Sequence, residues 1–414
     1  MYKLEFKLEQ HTPIIHFQAK DVGATLRASE VKPKLDKFVL MQIGKRFVKK
    51  TASTTEKDFI EKGIEYFQNK DAEARRVYEE EKKKGNKDAK LELCLIPGQE
   101  GALNYKLSFK LSSDAKVQYF LPCIKDKGKI EEGVTNLSNT PYFANEAKIK
   151  EPTKGPVCLA NHLEEGCVKG IVLIHNKDMK ADIEKYLEAF FLLHNFGARQ
   201  TKGFGSYSLC LNGEKRIDSL PQKVVEIMKS YGVEYCLKHN CSNISDTFNT
   251  IRSFHNKLKT GDKKKRSLIR EYFRKKEIEW EKPIERKLLS LRIEKDTHED
   301  FPQKYVRALL GLHSLFDFTH SNQQVIVSNE DIERFASPIV YKPIGSTIFL
   351  ILKEIDEDIF GKKFIFSYGK EKKDVYTPSK YTFSLKELIS TIPEVKPIST
   401  KHNEIHRNNH RTNR

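Results

Sequence analysis

The chain has 414 residues, 38 % of them hydrophobic, which leaves room for two domains and a sizeable core. Lys and Arg number 74 against 57 Asp and Glu, a formal net charge of +17 that draws polyanions, nucleic acid first and anionic membrane surfaces second. No stretch approaches the roughly 20 apolar residues of a membrane helix, and seven cysteines without framework spacing fit a reducing cytoplasm rather than a disulfide scaffold.

The opening "MYKLEFKLEQH" lacks the apolar centre of a signal peptide. It alternates instead, with Tyr2, Leu4, Phe6 and Leu8 on one face and Lys3, Glu5, Lys7 and Glu9 on the other, which predicts a strand over 2–9. A loop and then a helix follow in "HTPIIHFQAKDVGATLRASEVKPKLDKFVLMQI", with Ser29 as a candidate cap and Pro33 close to the start. Thr54 to about Lys84 is charged and helical, and "KKKGNKD" ends it. Residues 90–96 and 104–112 alternate as strands of a hairpin around "PGQEGA". "VCLANHL" and "CVKGIVLIH" are apolar runs, the second a strand. Over 180–194, Ile183, Tyr186, Leu187, Phe190, Phe191 and His194 recur at helical spacing, and "SYSLCL" beyond the next loop is a short strand. Strand, helix, strands, helix, strand is the order of a ferredoxin-like domain.

From about Leu220 the character changes. Asp246–Arg292 reads as helical and very basic, with fourteen Lys or Arg against six Asp or Glu between Lys257 and Arg292. Such helices can track an RNA backbone, present a solvated lysine-rich face or dock a neighbouring subunit. Trp280, Tyr272 and Phe273 are spaced for a packed face. A helix is expected over 303–316, followed by strands in "ERFASPIVYKPIGSTIFLILKEI" and "KKFIFSYG". The tail from about Lys396 has almost no apolar residues and reads as disordered.

The segment "NFGARQTKGFGSY", Asn195–Tyr207, joins the second helix of that ferredoxin-like order to its last strand. Gly197, Gly203 and Gly205 free the main chain for positive φ and expose N–H groups, and Arg199 and Lys202 add charge where those donors point, an arrangement suited to phosphate. Phe204 fits either base stacking or a plug in the domain's own core. A plain connecting turn accounts for the glycines equally well. The loop lacks the Lys-Ser/Thr ending of a P-loop and precedes a strand, so nucleoside triphosphate binding does not fit.

Gly-Ala-Arg-x-x-Lys-Gly-Phe-Gly-Ser after an apolar helix resembles the glycine-rich loop of the RAMP superfamily, the RNA-binding proteins of CRISPR systems. The likeness is closest to the first RAMP subunit of the type III-B (Cmr) effector complex. Gly197, Ala198, Arg199, Gly203, Phe204, Gly205 and Ser206 match that pattern, Lys202 stands for its second arginine, and Thr201 replaces the first. A second match comprises Thr12-Pro13, Arg27, Val31 and Lys32, with Pro33 where the family has glycine and Asp36 where a cation is common. Lys34 keeps the segment basic. "RFASPIVYKPI", Arg334–Ile344, echoes the Ser-Pro strand of the second half.

The resemblance implies an α+β fold: a ferredoxin-like (RRM-like) RAMP domain over 1–219 with long helical insertions, then a basic helical region and a second, smaller ferredoxin-like domain over 220–395, with a disordered basic tail over 396–414. It implies a non-catalytic, cytoplasmic subunit of a multi-subunit complex with other RAMP proteins, needing no cofactor and contacting no membrane. Its partners would be crRNA and target RNA near the 3′ end of the guide. The RNA-binding candidates are Arg27, Lys32, Lys34, Gly197, Arg199, Lys202, Gly203, Phe204 and Gly205.

The competing expectation is a metal-independent endoribonuclease that processes CRISPR repeat RNA, for which His11, His16, Tyr207 and Lys202 would supply acid and base. Cys236, His239 and Cys241, and the looser set Cys158, His162 and Cys167, lack the knuckle spacing of a zinc site. "EIDEDIF" reads as a solvated helix end rather than a magnesium site.

Overall fold

The computed structural model describes residues 1–14, 26–51, 54–111, 117–122, 134–137, 159–162, 168–210, 222–238, 243–261, 266–312, 315–318, 323–332 and 334–398. His16, His239, Cys241, Cys158, Cys167, the side chain of His162 and the basic tail beyond 398 lie outside the description, as does the expected boundary at 219/220. The chain divides into two compact units, one comprising Met1–Ser138, Phe143–Gln200 and Phe204–Met228, the other chiefly Lys229–Arg414 together with Thr201–Gly203.

The first unit begins with β1 (Tyr2–Gln10), α1 (Ala28–Gly44), α2 (Glu56–Lys83) and β2 (Tyr105–Leu111). Next come β3 (Val117–Pro122), β4 (Val134–Leu137), β5 (Leu159–His162), β6 (Val168–Ile174), α3 (Lys177–Leu193) and β7 (Tyr207–Leu209). The main sheet runs β2-β6-β1-β7 with every neighbouring pair antiparallel. Strands β4, β3 and β5 form a separate three-stranded sheet.

Period-two alternation turns Leu4 and Leu8 of β1 inward, opposite Val172 and Val168 of β6. Helix α3 forms because its apolar residues recur every three or four positions and because Asn176 caps it, accepting from the amides of Asp178 and Met179 at 2.9 and 3.0 Å. Phe190 and Phe191 on its inner face are fully buried. The Phe191 ring lies 5.7 Å from Phe6 of β1, and Phe190 lies 5.8 Å from Phe38 of α1, so both helices cover one face of the sheet. Each such ring contributes about 1.5–3 kcal/mol by burial, and Phe190→Ala would remove the contact that joins the helices.

Two local expectations are corrected. Helix α1 starts at Ala28 with Arg27 at its cap position, so Ser29 lies inside the helix, and Pro33 is carried within it. Residues 90–96 form no strand of their own, the buried carboxylate of Asp71 taking the amides of Cys94 and Leu95 at 2.6 and 3.1 Å. The hairpin around "PGQEGA" is nevertheless present, closed by an antiparallel bridge from Leu95 to Leu103 and by the Ile96 and Asn104 amides, which donate to the Ala102 and Cys94 carbonyls at 2.9 and 2.7 Å. Helix α2 begins where expected, closed by a capping box between Thr55 and Asp58.

The second unit takes up the chain within α4 (Gln222–Ser230) and continues through β8 (Tyr235–Lys238), α5 (Ile244–Lys259), α6 (Leu268–Arg274), β9 (Glu279–Trp280), α7 (Lys282–Leu288) and β10 (Gln303–Lys304). It goes on through β11 (Leu315–Phe318), β12 (Gln323–Ser328), β13 (Ile339–Ile344), β14 (Thr347–Leu352), β15 (Lys363–Tyr368), β16 (Glu371–Tyr376), α8 (Leu385–Ser390) and β17 (Val395–Pro397). Two antiparallel sheets result, β13-β14-β8-β17 and β11-β12-β15-β16.

The helix expected over 303–316 is absent. The Val306 amide donates to the buried Glu281 carboxylate at 3.0 Å, Arg307 is clamped by Glu281 and Glu285, and Gly311 at φ 111 ends a short 3-10 turn. Trp280, Tyr272 and Phe273 are buried, as their spacing implied, and the "EIDEDIF" segment holds only a 3-10 turn over Glu357–Ile359. Much of the basic stretch is charge-paired internally: Arg270 is buried against Glu279 at 2.9 Å and Glu294 at 3.0 Å.

Candidate nucleic-acid interface

The two basic motifs, separated by about 160 residues of sequence, meet in the first unit. The Gly197 amide donates to the Glu30 carboxylate at 2.6 Å, and the Lys34 ammonium donates to the same oxygen and to the Gln200 side-chain oxygen, each at 3.1 Å. Glu30 and Lys34 occupy successive turns of α1, so one face of that helix supports the loop. The Asn195 side-chain amide donates to the Gln200 carbonyl at 2.7 Å and closes the bend from within.

The Thr12-Pro13 step holds the far side. The Ser206 amide donates to the Thr12 hydroxyl at 2.9 Å, the Gly205 amide to the Pro13 carbonyl at 2.8 Å and the His11 amide to the Ser206 carbonyl at 2.9 Å. Gly197, Gly203 and Gly205 all sit at positive φ, as their number in the loop suggested. At Gly205 a Cβ would lie 1.9 Å from the Phe196 carbonyl oxygen, so the need there is close approach as much as freedom of rotation. Among non-glycine residues, Arg199 at φ 56 is also left-handed, a conformation that costs an L residue about 1–2 kcal/mol.

The side chains redistribute the expected roles. Phe204 is fully buried, which selects the core plug over the stacking platform. Lys32 donates to Asp36 at 2.6 Å and to the Leu103 carbonyl at 2.8 Å, with its ammonium 4.4 Å from the centre of the Tyr105 ring. Burial nevertheless raises the Asp36 carboxyl above the usual carboxylate value, and Lys32 only partly offsets it. Asp36, which breaks the family's basic pattern, is thus an internal counter-ion.

Lys202 belongs with the second unit, where its ammonium lies 2.9 Å from Nε2 of the buried His255, whose ring also meets the Tyr341 hydroxyl at 3.3 Å. Burial pushes Lys202 down to about 7. Lys32 and Lys34 therefore have their charges committed to internal carboxylates, and burial disfavours the charge of Lys202 itself. Arg199 and Arg27 are half-exposed, at the loop and at the start of α1.

His11 is held by Ser208 at 2.8 Å and Glu9 at 3.3 Å, next to the loop's last strand, and Tyr207 is fully buried. Among the described residues no group of His, Cys, Asp or Glu could hold a metal ion, and no helix is long and apolar enough to cross a membrane. Sequence reasoning missed Glu30 and Gln200 as organisers of the loop, and His255 as the partner of Lys202, because their residue types carried no signal apart from the contacts that the fold creates; Thr12 was marked only as part of the family match.

Residues 1–262 match the Cmr1 N-terminal domain and residues 264–412 the Cmr1 C-terminal domain. The chain is accordingly a RAMP-superfamily protein of a CRISPR system. It belongs to the Cmr1 family, whose members are subunits of the multi-protein type III-B Cmr complex. The apo crystal structure of Cmr1 from Pyrococcus furiosus aligns over 96 % of this chain and 99 % of its own, at 10 % sequence identity and a TM-score of 0.40. No curated protein sequence matches.

Proposed function

We propose that the protein is a non-catalytic RNA-binding subunit of the type III-B complex. It engages crRNA and target RNA near the 3′ end of the guide through the rim formed by the glycine-rich loop and the start of α1. The observation that carries this reading is Arg199, a non-glycine residue held in a left-handed conformation inside a bend that Glu30, Gln200, Thr12 and Pro13 brace from both sides. Conformational cost of that kind collects at functional sites, and a braced arginine gives a planar, permanently charged fork for phosphate. Arg27 at the start of α1 is the second cation of the rim. Backbone recognition suits a guide whose sequence varies, because RNA helices hide base edges from side chains.

The first unit is a ferredoxin-like RAMP domain in this reading. Its strand order β2-β6-β1-β7 puts the third sheet strand between the second and the first, and the first beside the fourth, which is the order of a split β-α-β arrangement. The second unit is a smaller α+β domain of the same kind, and other RAMP subunits are the protein partners.

The test is equilibrium binding of an unstructured RNA to the full chain over a salt series. Arg199→Ala is expected to weaken binding and lower the log-log salt slope by about 0.7, the value for one lost phosphate contact on a single strand. A wild-type chain that retains no RNA, or an Arg199→Ala chain with an unchanged slope, would overturn the proposal. Repeat RNA incubated without metal should yield no product, and cleavage abolished by His11→Ala would mark the protein as an endoribonuclease instead.

A further inference from the structure

Helix α1 ends at Gly44, and the chain continues as "KRFVKK", Lys45–Lys50, which places four cations around one aromatic residue. The Phe47 side chain is 59 % exposed, while Lys45, Arg46, Lys49 and Lys50 are all exposed. Together with Phe59 of α2, residues 45–50 line a concavity of about 590 Å³ that has no acidic residue in its wall. A cation at the C-terminal end of a helix answers the negative pole of the helix dipole, and that accounts for Lys45. Lys49 and Lys50 lie beyond the last turn, and an exposed phenylalanine among like charges has no folding role of that kind.

The patch is built rather than loose. At Gly44 a Cβ would stand 1.8 Å from the Phe59 carbonyl oxygen, so the end of α1 is pressed against α2. Arg46 donates to Asp182 and to the Tyr186 hydroxyl, both at 2.9 Å, which fixes the root of the segment onto α3. The Phe47 ring is backed by Tyr66 of α2, with centroids 5.7 Å apart and planes inclined at 32°. Tyr66 in turn carries the Lys70 ammonium 5.2 Å from its centroid.

We infer that the concavity at 45–50 is a second RNA-binding site, specific for a single-stranded segment, in which an unpaired base stacks on Phe47 and the flanking phosphates meet Lys49 and Lys50. Aromatic rings set in a cationic groove are the means by which proteins hold unpaired nucleotides without reading their sequence. Duplex RNA offers the cations its phosphates but keeps its bases stacked away from Phe47. The inference rests on the RNA-binding reading above but concerns different residues, on the end of α1 opposite to the one that supports the glycine-rich loop.

The experiment titrates oligo(U) and a blunt RNA duplex into the full chain by fluorescence anisotropy, using wild type, Phe47→Ala, Phe47→Trp, Lys49→Ala with Lys50→Ala, and Arg199→Ala. Phe47→Ala should weaken oligo(U) binding roughly tenfold and leave duplex binding unchanged. The paired lysine substitutions should lower the single-strand salt slope by about 1.4. Trp280 is the sole natural tryptophan and is buried, so quenching of the added tryptophan in Phe47→Trp by oligo(U) reports stacking directly. Wild-type binding that Arg199→Ala weakens and Phe47→Ala does not would overturn this site and leave the loop reading intact. Equal losses on both RNAs would overturn the stacking role, and no binding by the wild type would defeat the earlier proposal itself. RNA affinity untouched by every substitution at 47, 49 and 50 would likewise overturn this site.

Discussion

Lys202→Met separates the two roles open to the cation of the glycine-rich loop. In the folded protein the Lys202 ammonium faces His255, and burial lowers it from its ordinary 10.5 to about 7. That displacement corresponds to about 5 kcal/mol of disfavour for the charged form, and because the side chain keeps part of its surface in water, about 2 kcal/mol is the expected effect at neutral pH. The folded value lies below the unfolded one, so the unfolded state binds more protons between them and wild-type stability rises with pH across that window. Methionine keeps the length of the stem and removes the charge. The variant should therefore be more stable than wild type at pH 7, with the advantage shrinking as the pH is raised to about 8.5, below which unfolded-state cysteines stay protonated. Paired thermal melts across that range measure the difference and cancel the like-signed contribution of the buried Lys342, while Lys259, lowered by burial and then by the Lys202 charge, gains from the substitution in the same direction. Salt-dependent RNA binding of the same variant should match wild type. An unchanged melting profile together with a salt slope lowered by about 0.7 would refute the reasoning, because the ammonium would then be reaching a phosphate.

Two further outcomes test the internal roles assigned above. Phe204→Ala should cost about 3–5 kcal/mol in denaturant unfolding, as expected of a fully buried ring, while Phe204→Leu recovers most of that and binds RNA as wild type does; a Leu variant that is stable but defective in RNA binding would restore the stacking role. Glu279→Gln leaves the buried Arg270 guanidinium without its nearest full charge and should cost about 3 kcal/mol, read from the same unfolding midpoints; an unchanged midpoint would mean that Glu294 and Asp296 suffice to hold it.

Periodic features were legible from residues alone. The alternation of β1 and the helical stripe of α3 specify local structure because burial of one face selects the matching period. The loop's glycine pattern and the Thr12-Pro13, Arg27 and Lys32 segment sufficed to mark the family resemblance. What residue types could not convey was where each charge ends. Lys32, Lys34 and Lys202 read as phosphate ligands until the fold supplied Asp36, Glu30 and His255, and the run at 303–316 read as a helix until Glu281 and Glu285 captured its amide and its arginine. The sequence by itself determined β1, α2 and α3, the cationic balance and the glycine-laden bend. Only the tertiary structure decided which cations face inward and that Phe47 stands at the surface, because a side chain's partners are set by long-range packing, on which local spacing carries no information.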